Sequence, residues 1–165
     1  MRILAVDVGT ANVGWASGSA GDRTPSLGTY NPPATQSNLA WLGADFRAWL
    51  TVKLQAGVTH VVFCTPILVH SNNWWTIRKV VSLGYQIELT GYDHSVVVEE
   101  AAEPKVRKHF LSPHKVPVKS ADIKAAVMAR CRALGWSPAN DHEGDSAALW
   151  DYAMALKTSR LAALV

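Results

Sequence analysis

The sequence is poor in cysteine and in long apolar runs. Its two cysteines, Cys64 and Cys131, do not stand in C-x-x-C spacing, so neither a disulfide framework nor a zinc site is indicated. No apolar run approaches the roughly 20 residues that a membrane-spanning helix needs. The N-terminal segment has one Arg before a short apolar run that ends in Asp7, which is unlike a signal peptide. We therefore expect a cytoplasmic protein without a membrane partner.

Charged residues are also few, at 18% of the chain against 48% hydrophobic residues. This composition is typical of a globular chain, and the length suits one well-packed domain spanning residues 1–165. The net charge is only +3, but eight of the 16 Lys and Arg residues lie between Pro104 and Arg132. Such a basic stretch indicates a polyanionic partner, although a charge run by itself more often forms a solvated face.

The most informative stretch is residues 2–16, RILAVDVGTANVGWA. Its apolar run predicts a buried strand that ends at Asp7, and Gly9 permits a tight turn into a second extended segment. A carboxylate at the end of a central strand suits a nearby metal ion or phosphate. It suits an acid that caps a turn equally well. These residues alone leave both interpretations open.

Hydrophobic spacing and turn residues predict the remaining elements. We expect an edge-like strand at 26–30, a helix at 37–56, a strand at 58–65, a helix from 74 to about 92, a strand at 96–98, a short basic helix at 105–111, a helix at 121–134 capped by Ser120, and a final helix from about 144 to 160. Strand, hairpin, helix and strand in this order predict a mixed sheet with a crossover helix on one face.

A second informative stretch is residues 140–153, NDHEGDSAALWDYA, where acids lead into an apolar helical pattern. Asp145 and three later residues recur at i, i+3, i+4 and i+7, so Asp145 is predicted to face the sheet. His142, three residues earlier, shares that side if the helix begins there. An acid facing the core is costly unless it is paired or binds a metal. Helix capping explains a single acid in a first turn, but it explains the dense cluster less well.

Taken together, these stretches resemble the RuvC-like Holliday-junction resolvases of the RNase H-like superfamily, in particular the compact phage and prophage forms. The segments that carry the resemblance, in the family's order, are RILAVDVGTANVGWA, HVVFCTP, EPKVRKHF with KSADIKAAV, and GWSPANDHEGDSAALWDYA. The first is shared with actin-like ATP-binding proteins and RuvX-like relatives, whereas the ordered set is more specific. The resemblance implies an α/β, RNase H-like fold with a mixed five-stranded sheet flanked by helices.

The resemblance also implies a homodimeric crossover junction endodeoxyribonuclease that resolves Holliday junctions and other branched DNA in a bacterial cell or phage-infected host. Hydrolysis would use two Mg²⁺ or Mn²⁺ ions, held by carboxylates because hard cations prefer oxygen ligands. Asp7 and Asp145 are the implied metal ligands. His142 either ligates a metal or orients the phosphate, and Glu143 is a weaker candidate. The implied DNA contacts are Lys105, Arg107, Lys108, Lys119 and Lys124, with Arg107 and Lys124 nearest the cut.

Cys64 departs from the family pattern, which places a catalytic Glu at the end of the fourth strand. A thiol cannot replace a carboxylate for Mg²⁺, since sulfur is a soft ligand. Three interpretations stand: an engineered substitution, a natural divergent site, and an inactive junction-binding protein of the same fold. A small buried cysteine is the commoner meaning of a Cys in a strand, but we favour substitution or divergence at a true catalytic position, which puts the activity of this chain in doubt. Glu99 or Glu100, predicted to close the next strand, could compensate. A RuvX-like nuclease acting on RNA is the further alternative.

The aromatic pair Trp74 and Trp75 lies where members of the family dimerise or approach the junction. Tryptophans can stack on unpaired bases, but core packing or a dimer interface ranks above that role. A homodimer follows from the proposed function, because a four-way junction has two-fold symmetry and needs two symmetric cuts.

Overall fold

The computed structural model describes residues 1–9, 11–33, 38–64, 73–112, 116–117 and 119–162. Within these ranges the strands are β1 (Arg2–Asp7), β2 (Val13–Ser19), β3 (Ser26–Tyr30), β4 (His60–Cys64) and β5 (Val97–Ala101). The helices are α1 (Leu39–Gln55), α2 (Trp74–Asp93), α3 (Glu103–Phe110), α4 (Ser120–Ala133) and α5 (Asp141–Ala162). No helix in this part of the chain is long and apolar enough to cross a membrane.

The strands form one five-stranded mixed sheet in the order β3-β2-β1-β4-β5. The β1–β2 and β2–β3 pairs are antiparallel, whereas β4 runs parallel to both β1 and β5. The predicted mixed five-stranded sheet flanked by helices is confirmed. Because parallel strands present their carboxyl ends at one edge, the ends of β1, β4 and β5 lie side by side.

Both faces of the sheet are covered, because successive side chains of a strand point to opposite faces. Leu4 and Val6 of β1 pack in a cluster with α1 and α2. Ile3 and Ala5 pack in a second cluster, with α3, α4 and α5. This explains why β1 is a nearly continuous apolar run. It also leaves Asp7, the last residue of β1, at the rim of a doubly covered sheet.

Helix α5 begins close against the opening hairpin because Gly14 has no side chain. A Cβ atom on Gly14 would lie 2.1 Å from the carbonyl oxygen of His142. Gly14 is also the residue paired with Asp7 across the hairpin. A small residue at this point therefore brings the first turn of α5 next to the end of β1.

Several predicted boundaries differ from the structure by two or three residues, among them the start of α3, which lies at Glu103 rather than Lys105. Helix α5 begins at Asp141 rather than near Gly144, since Asn140 Oδ1 accepts a hydrogen bond of 3.0 Å from the Glu143 amide. Helix α4 follows Lys119 without a side-chain cap, so the assignment of Ser120 as its cap was wrong. Strand β5 continues through Glu99 and Glu100 instead of ending before them.

Candidate active site

The candidate site lies where the end of β1 meets the first turns of α5. Asp7 and His142, which are 135 residues apart in sequence, are joined by a contact of 2.9 Å between Asp7 Oδ2 and His142 Nδ1. Gly9 makes room for the imidazole, because a Cβ atom there would lie 2.9 Å from His142 Cε1. The structure therefore brings together two of the residues that the sequence singled out.

Asp145 lies one turn further along α5, and its side chain is only 15% exposed. Burial, and secondarily the negative charge of Asp7, raise the pKa of Asp145 to about 7. Arg107 Nη2, 3.7 Å from Asp145 Oδ2, acts in the opposite direction. A sheltered carboxylate whose ionisation is disfavoured by burial and by a neighbouring negative charge is one that a bound cation would stabilise.

Asp141, the first residue of α5, is a further acid near the site, and it pairs with Lys124 of α4. The hydrogen bond between them lowers the pKa of Asp141 and raises the pKa of Lys124. The hydrogen bond to Asp7 likewise raises the pKa of His142. Each of the acids Asp7, Asp141 and Asp145 is thus matched with a basic side chain of the chain itself.

Cys64 lies inside this group of acids. It ends β4, is 6% exposed, and has a thiol whose pKa is raised by burial and then by the charges of Asp7, Glu103 and Asp145. The thiol therefore stays protonated near neutral pH. A protonated, soft sulfur is a poor ligand for a hard cation.

The glutamates considered from the sequence lie elsewhere. Glu143 is buried and accepts hydrogen bonds from Thr29 Oγ1 and the Ala139 amide, both at 2.8 Å. Glu99 pairs with Lys157 at 2.8 Å, and Glu100 is exposed.

Sequence reasoning missed Glu103, the first residue of α3. Its carboxylate pairs with Arg107, one turn further along the same helix. The available signal was its position directly after the strand that neighbours Cys64.

The carboxylates of the site are chemically suitable ligands for a divalent cation, but they are too few to hold one by themselves. Asp7 and Asp145 offer the oxygen ligands that Mg²⁺ and Mn²⁺ prefer, and burial together with the charge of Asp7 raises the pKa of Asp145. Among the residues that the structure describes, no group of three or more His, Cys, Asp or Glu side chains is arranged to hold a metal ion. His142 is held by Asp7 rather than aimed at a common point with both carboxylates.

The predicted DNA-contacting residues fall into two sets. Lys105, Lys108 and Lys119 are exposed, whereas Arg107 and Lys124 pair with the acids of the site. Arg107 Nε is buried and has no hydrogen-bond partner among the described residues. The basic segment therefore reaches the site through these two cations, and the three exposed lysines are available to solvent and polyanions.

An apolar groove of about 440 Å³ lies along α2, away from the acids. Trp74 is 71% exposed at one end of it, so core packing is wrong for this residue. Val81 and Tyr85 are also more than half exposed. Trp75 is half-buried, with the Arg78 guanidinium 5.6 Å from its ring centroid.

Comparison with solved structures gives clear relatives of this fold. RuvC of Thermus thermophilus superposes with a TM-score of 0.74 at 16% identity, covering 96% of this chain and 97% of that chain. T. thermophilus RuvC in complex with a Holliday junction substrate gives a TM-score of 0.66 at 15% identity, with 90% and 89% covered. The yeast mitochondrial Holliday junction resolvase Ydc2 gives 0.65 at 12% identity, with 89% and 75% covered.

No protein-family model matches the chain, and no curated protein matches it by sequence. The likeness is one of structure, extending over nearly the whole length of both chains. The chain therefore has a RuvC-like, RNase H-like α/β fold, as the opening and closing sequence stretches predict.

Proposed function

We propose that this chain is a metal-dependent, structure-selective endonuclease that cuts Holliday junctions and other branched DNA in DNA recombination and repair. The observation that carries the proposal is the meeting of Asp7 with His142 and Asp145 at the rim of a RuvC-like sheet. Remote acids brought together at strand ends are typical of metal-assisted phosphodiester hydrolysis. A location in the cytoplasm of a bacterial cell or phage-infected host belongs to the same proposal.

Asp7 and Asp145 would hold Mg²⁺ or Mn²⁺, which when bound supplies an activated water and stabilises the leaving oxygen. His142 has two available roles at its present position. Its contact with Asp7 fixes the orientation of that carboxylate, and the raised pKa of His142 favours an imidazolium that could face a phosphate. Arg107 and Lys124 lie close enough to these acids to neutralise charge at a phosphate in the site.

The exposed lysines of the basic segment would bind the DNA backbone. Lys105, Lys108 and Lys119 present positive charge to solvent, and exposed lysines of this kind typically contact phosphates, which position the DNA without reading its sequence. Binding carried by such contacts weakens steeply as salt concentration rises. A junction-binding isotherm that is insensitive to salt would contradict this part of the proposal.

The groove on α2 supports the homodimer that symmetric cutting requires. Its exposed apolar residues include Trp74, Val81 and Tyr85, and burial of such residues is a usual source of dimer stability. Sedimentation should show a dimer for the unchanged chain and a monomer for Val81→Asp. Val52→Asp, at a residue of α1 that is 66% exposed, is the matched control and should stay dimeric.

A second candidate function is junction binding without cleavage. The observation that favours it is Cys64, a buried thiol among the acids of the site. The two candidates share the fold and the basic segment. They differ only in whether the remaining ligands suffice for hydrolysis.

Cleavage of a labelled four-way junction with Mg²⁺ or Mn²⁺ tests the proposal. The unchanged chain and Cys64→Glu are compared, with Asp145→Asn as the inactive control and binding followed in parallel. Cleavage that Asp145→Asn abolishes supports a nuclease. Binding by both forms with cleavage by neither favours the second candidate. Preference for structured RNA over junction DNA would favour a RuvX-like activity.

A further inference from the structure

A row of three paired residues crosses the sheet beneath the start of α5. Gly14 of β2 is paired with Asp7 of β1 on one side and with Thr29 of β3 on the other. Paired residues of neighbouring strands share one face of the sheet. A Cβ atom on Gly14 would lie 2.1 Å from the carbonyl oxygen of His142 and 3.0 Å from the amide nitrogen of Glu143. The peptide bond between His142 and Glu143 therefore lies over Gly14, between Asp7 and Thr29.

The side chains on either side of this peptide bond hold opposite ends of the row. His142 Nδ1 lies 2.9 Å from Asp7 Oδ2. Glu143 Oε1 accepts a hydrogen bond of 2.8 Å from Thr29 Oγ1, a residue 114 positions away in the sequence. The start of α5 is thus attached to β1 through His142 and to β3 through Glu143. A helix held at two points of the sheet is less free to slide or rotate than a helix held at one.

Hydrogen bonds close a network around the buried carboxylate of Glu143, which is 7% exposed. Its second oxygen, Oε2, accepts a hydrogen bond of 2.8 Å from the Ala139 amide. The Glu143 amide donates to Asn140 Oδ1 at 3.0 Å, and Asn140 Nδ2 donates to Thr29 Oγ1 at 2.8 Å. Burying a carboxylate is costly unless such bonds satisfy it. An ordinary capping box joins residues of one helix start, whereas this network also includes Thr29 of the edge strand β3.

We infer that Glu143 is a positioning residue of the candidate active site, which through its hydrogen bond to Thr29 sets the place of His142 against Asp7. The inference rests on the proposed function and deepens it, because His142 and Asp7 are side chains that would act there on the phosphate. Both carboxylate oxygens of Glu143 are engaged by residues outside the acidic cluster. Glu143 therefore acts through His142 rather than on the substrate.

The test follows the imidazole of His142 by nitrogen NMR of the full chain, without DNA or metal and at one fixed pH. The ring signals are assigned by their absence in His142→Gln. Thr29→Val removes the hydroxyl but keeps the shape of the side chain, and it should move the ring-nitrogen shifts towards those of free imidazole. Glu143→Ala should move them in the same direction, whereas Thr29→Ser, which keeps the hydroxyl, should leave them in place. Unmoved shifts in both Thr29→Val and Glu143→Ala would overturn the inference.

Thr90→Val is the matched control for a general loss of stability. Thr90 of α2 is fully buried, and its hydroxyl donates a hydrogen bond of 2.6 Å to the Gln86 carbonyl oxygen. The same chemical change is thus made outside the network around Glu143, with thermal unfolding confirming that each variant is folded. The His142 ring signals should not move in Thr90→Val. A movement as large as that in Thr29→Val would overturn the inference.

Junction assays separate failure of this inference from failure of the proposed function. Thr29→Val and Glu143→Ala should lower the rate of cleavage of bound junction by on the order of 10- to 100-fold, the effect of a misplaced reacting group. The Kd for the junction should stay unchanged, because the basic segment is intact. A full cleavage rate in both variants would overturn the inference. If the unchanged chain binds junctions without cutting them, the nuclease function falls, and the His142 ring signals still decide whether Glu143 positions His142.

Discussion

Replacement of Asp145 by Asn should make the protein more stable in metal-chelating buffer at mildly alkaline pH. The Asp145 side chain is 15% exposed, and its pKa is about 7 in the folded chain against an ordinary value of 3.8. Above pH 7 folding must hold this carboxylate ionised in a sheltered place close to the charge of Asp7. Asn keeps the shape and removes the charge.

The size of this stability difference and the pH range in which it develops follow from the linkage between proton binding and folding. Between the two pKa values the folded chain binds more protons than the unfolded chain, so the free energy of unfolding falls as the pH rises. One pKa unit corresponds to about 1.4 kcal/mol, which gives a loss of at most about 4 kcal/mol above pH 7. Asp145→Asn should recover about 2 to 4 kcal/mol near pH 8 and much less near pH 4. Arg107 keeps Glu103 as a partner, so the variant leaves no buried cation alone.

Urea unfolding at several pH values between about 4 and 8 measures the difference. For a chain of this size the midpoint of thermal unfolding should rise by on the order of 10 °C at the alkaline end. Asp122→Asn, at an exposed position of α4, is the control and should change stability by less than about 0.5 kcal/mol at any pH. Equal stability of Asp145→Asn and the unchanged chain near pH 8, or a difference that does not vary with pH, would refute the reasoning.

Further predictions concern packing, protonation and charge. Gly14→Ala should lose about 1 to 3 kcal/mol of unfolding free energy in urea, because its Cβ would lie 2.1 Å from a carbonyl oxygen. Gly84→Ala on α2, where the nearest atom would be 3.7 Å away, should instead gain about 0.5 to 1 kcal/mol. His142→Gln should remove a stabilisation that is present below pH 6.5 and lost as the pH rises through the raised pKa of His142; an unchanged pH profile of unfolding would contradict this. Lys124→Ala should lower the rate of junction cleavage while changing the free energy of unfolding little, since Lys124 is a half-exposed partner of Asp141. A loss of cleavage that is fully explained by a loss of folded protein would make its role structural.

The apolar patterns alone identified the elements that carry the acids. Four consecutive apolar residues directly before Asp7 predicted the buried strand β1. The spacing of apolar residues after Asp145 predicted which side of α5 faces the sheet. These predictions succeeded because the periodicity of apolar residues reflects which side chains are buried when the chain folds. The start of α5 was misplaced because Asn140 caps the helix through a side-chain bond that periodicity does not report.

The functional roles of Asp7, Cys64, His142 and Asp145 stay predictions, but the structure decides which of them meet. The predicted strand end at Thr65 and the loop that follows lie outside the described residues, as does Lys115. The sequence also offered Glu99 and Glu100 as substitutes for the missing carboxylate. Strand β5 runs on through both of them.

Apolar periodicity and turn residues were enough to predict most local elements, the acid at the end of β1 and the acids at the start of α5. The folded chain was needed to show that Asp7 contacts His142 across 135 residues and that Arg107 joins Glu103 to Asp145. The physical reason is that local patterns fix which face of an element is buried, whereas sheet order and close packing at Gly14 fix which elements meet. A site built from separate elements is therefore visible only after the chain has folded.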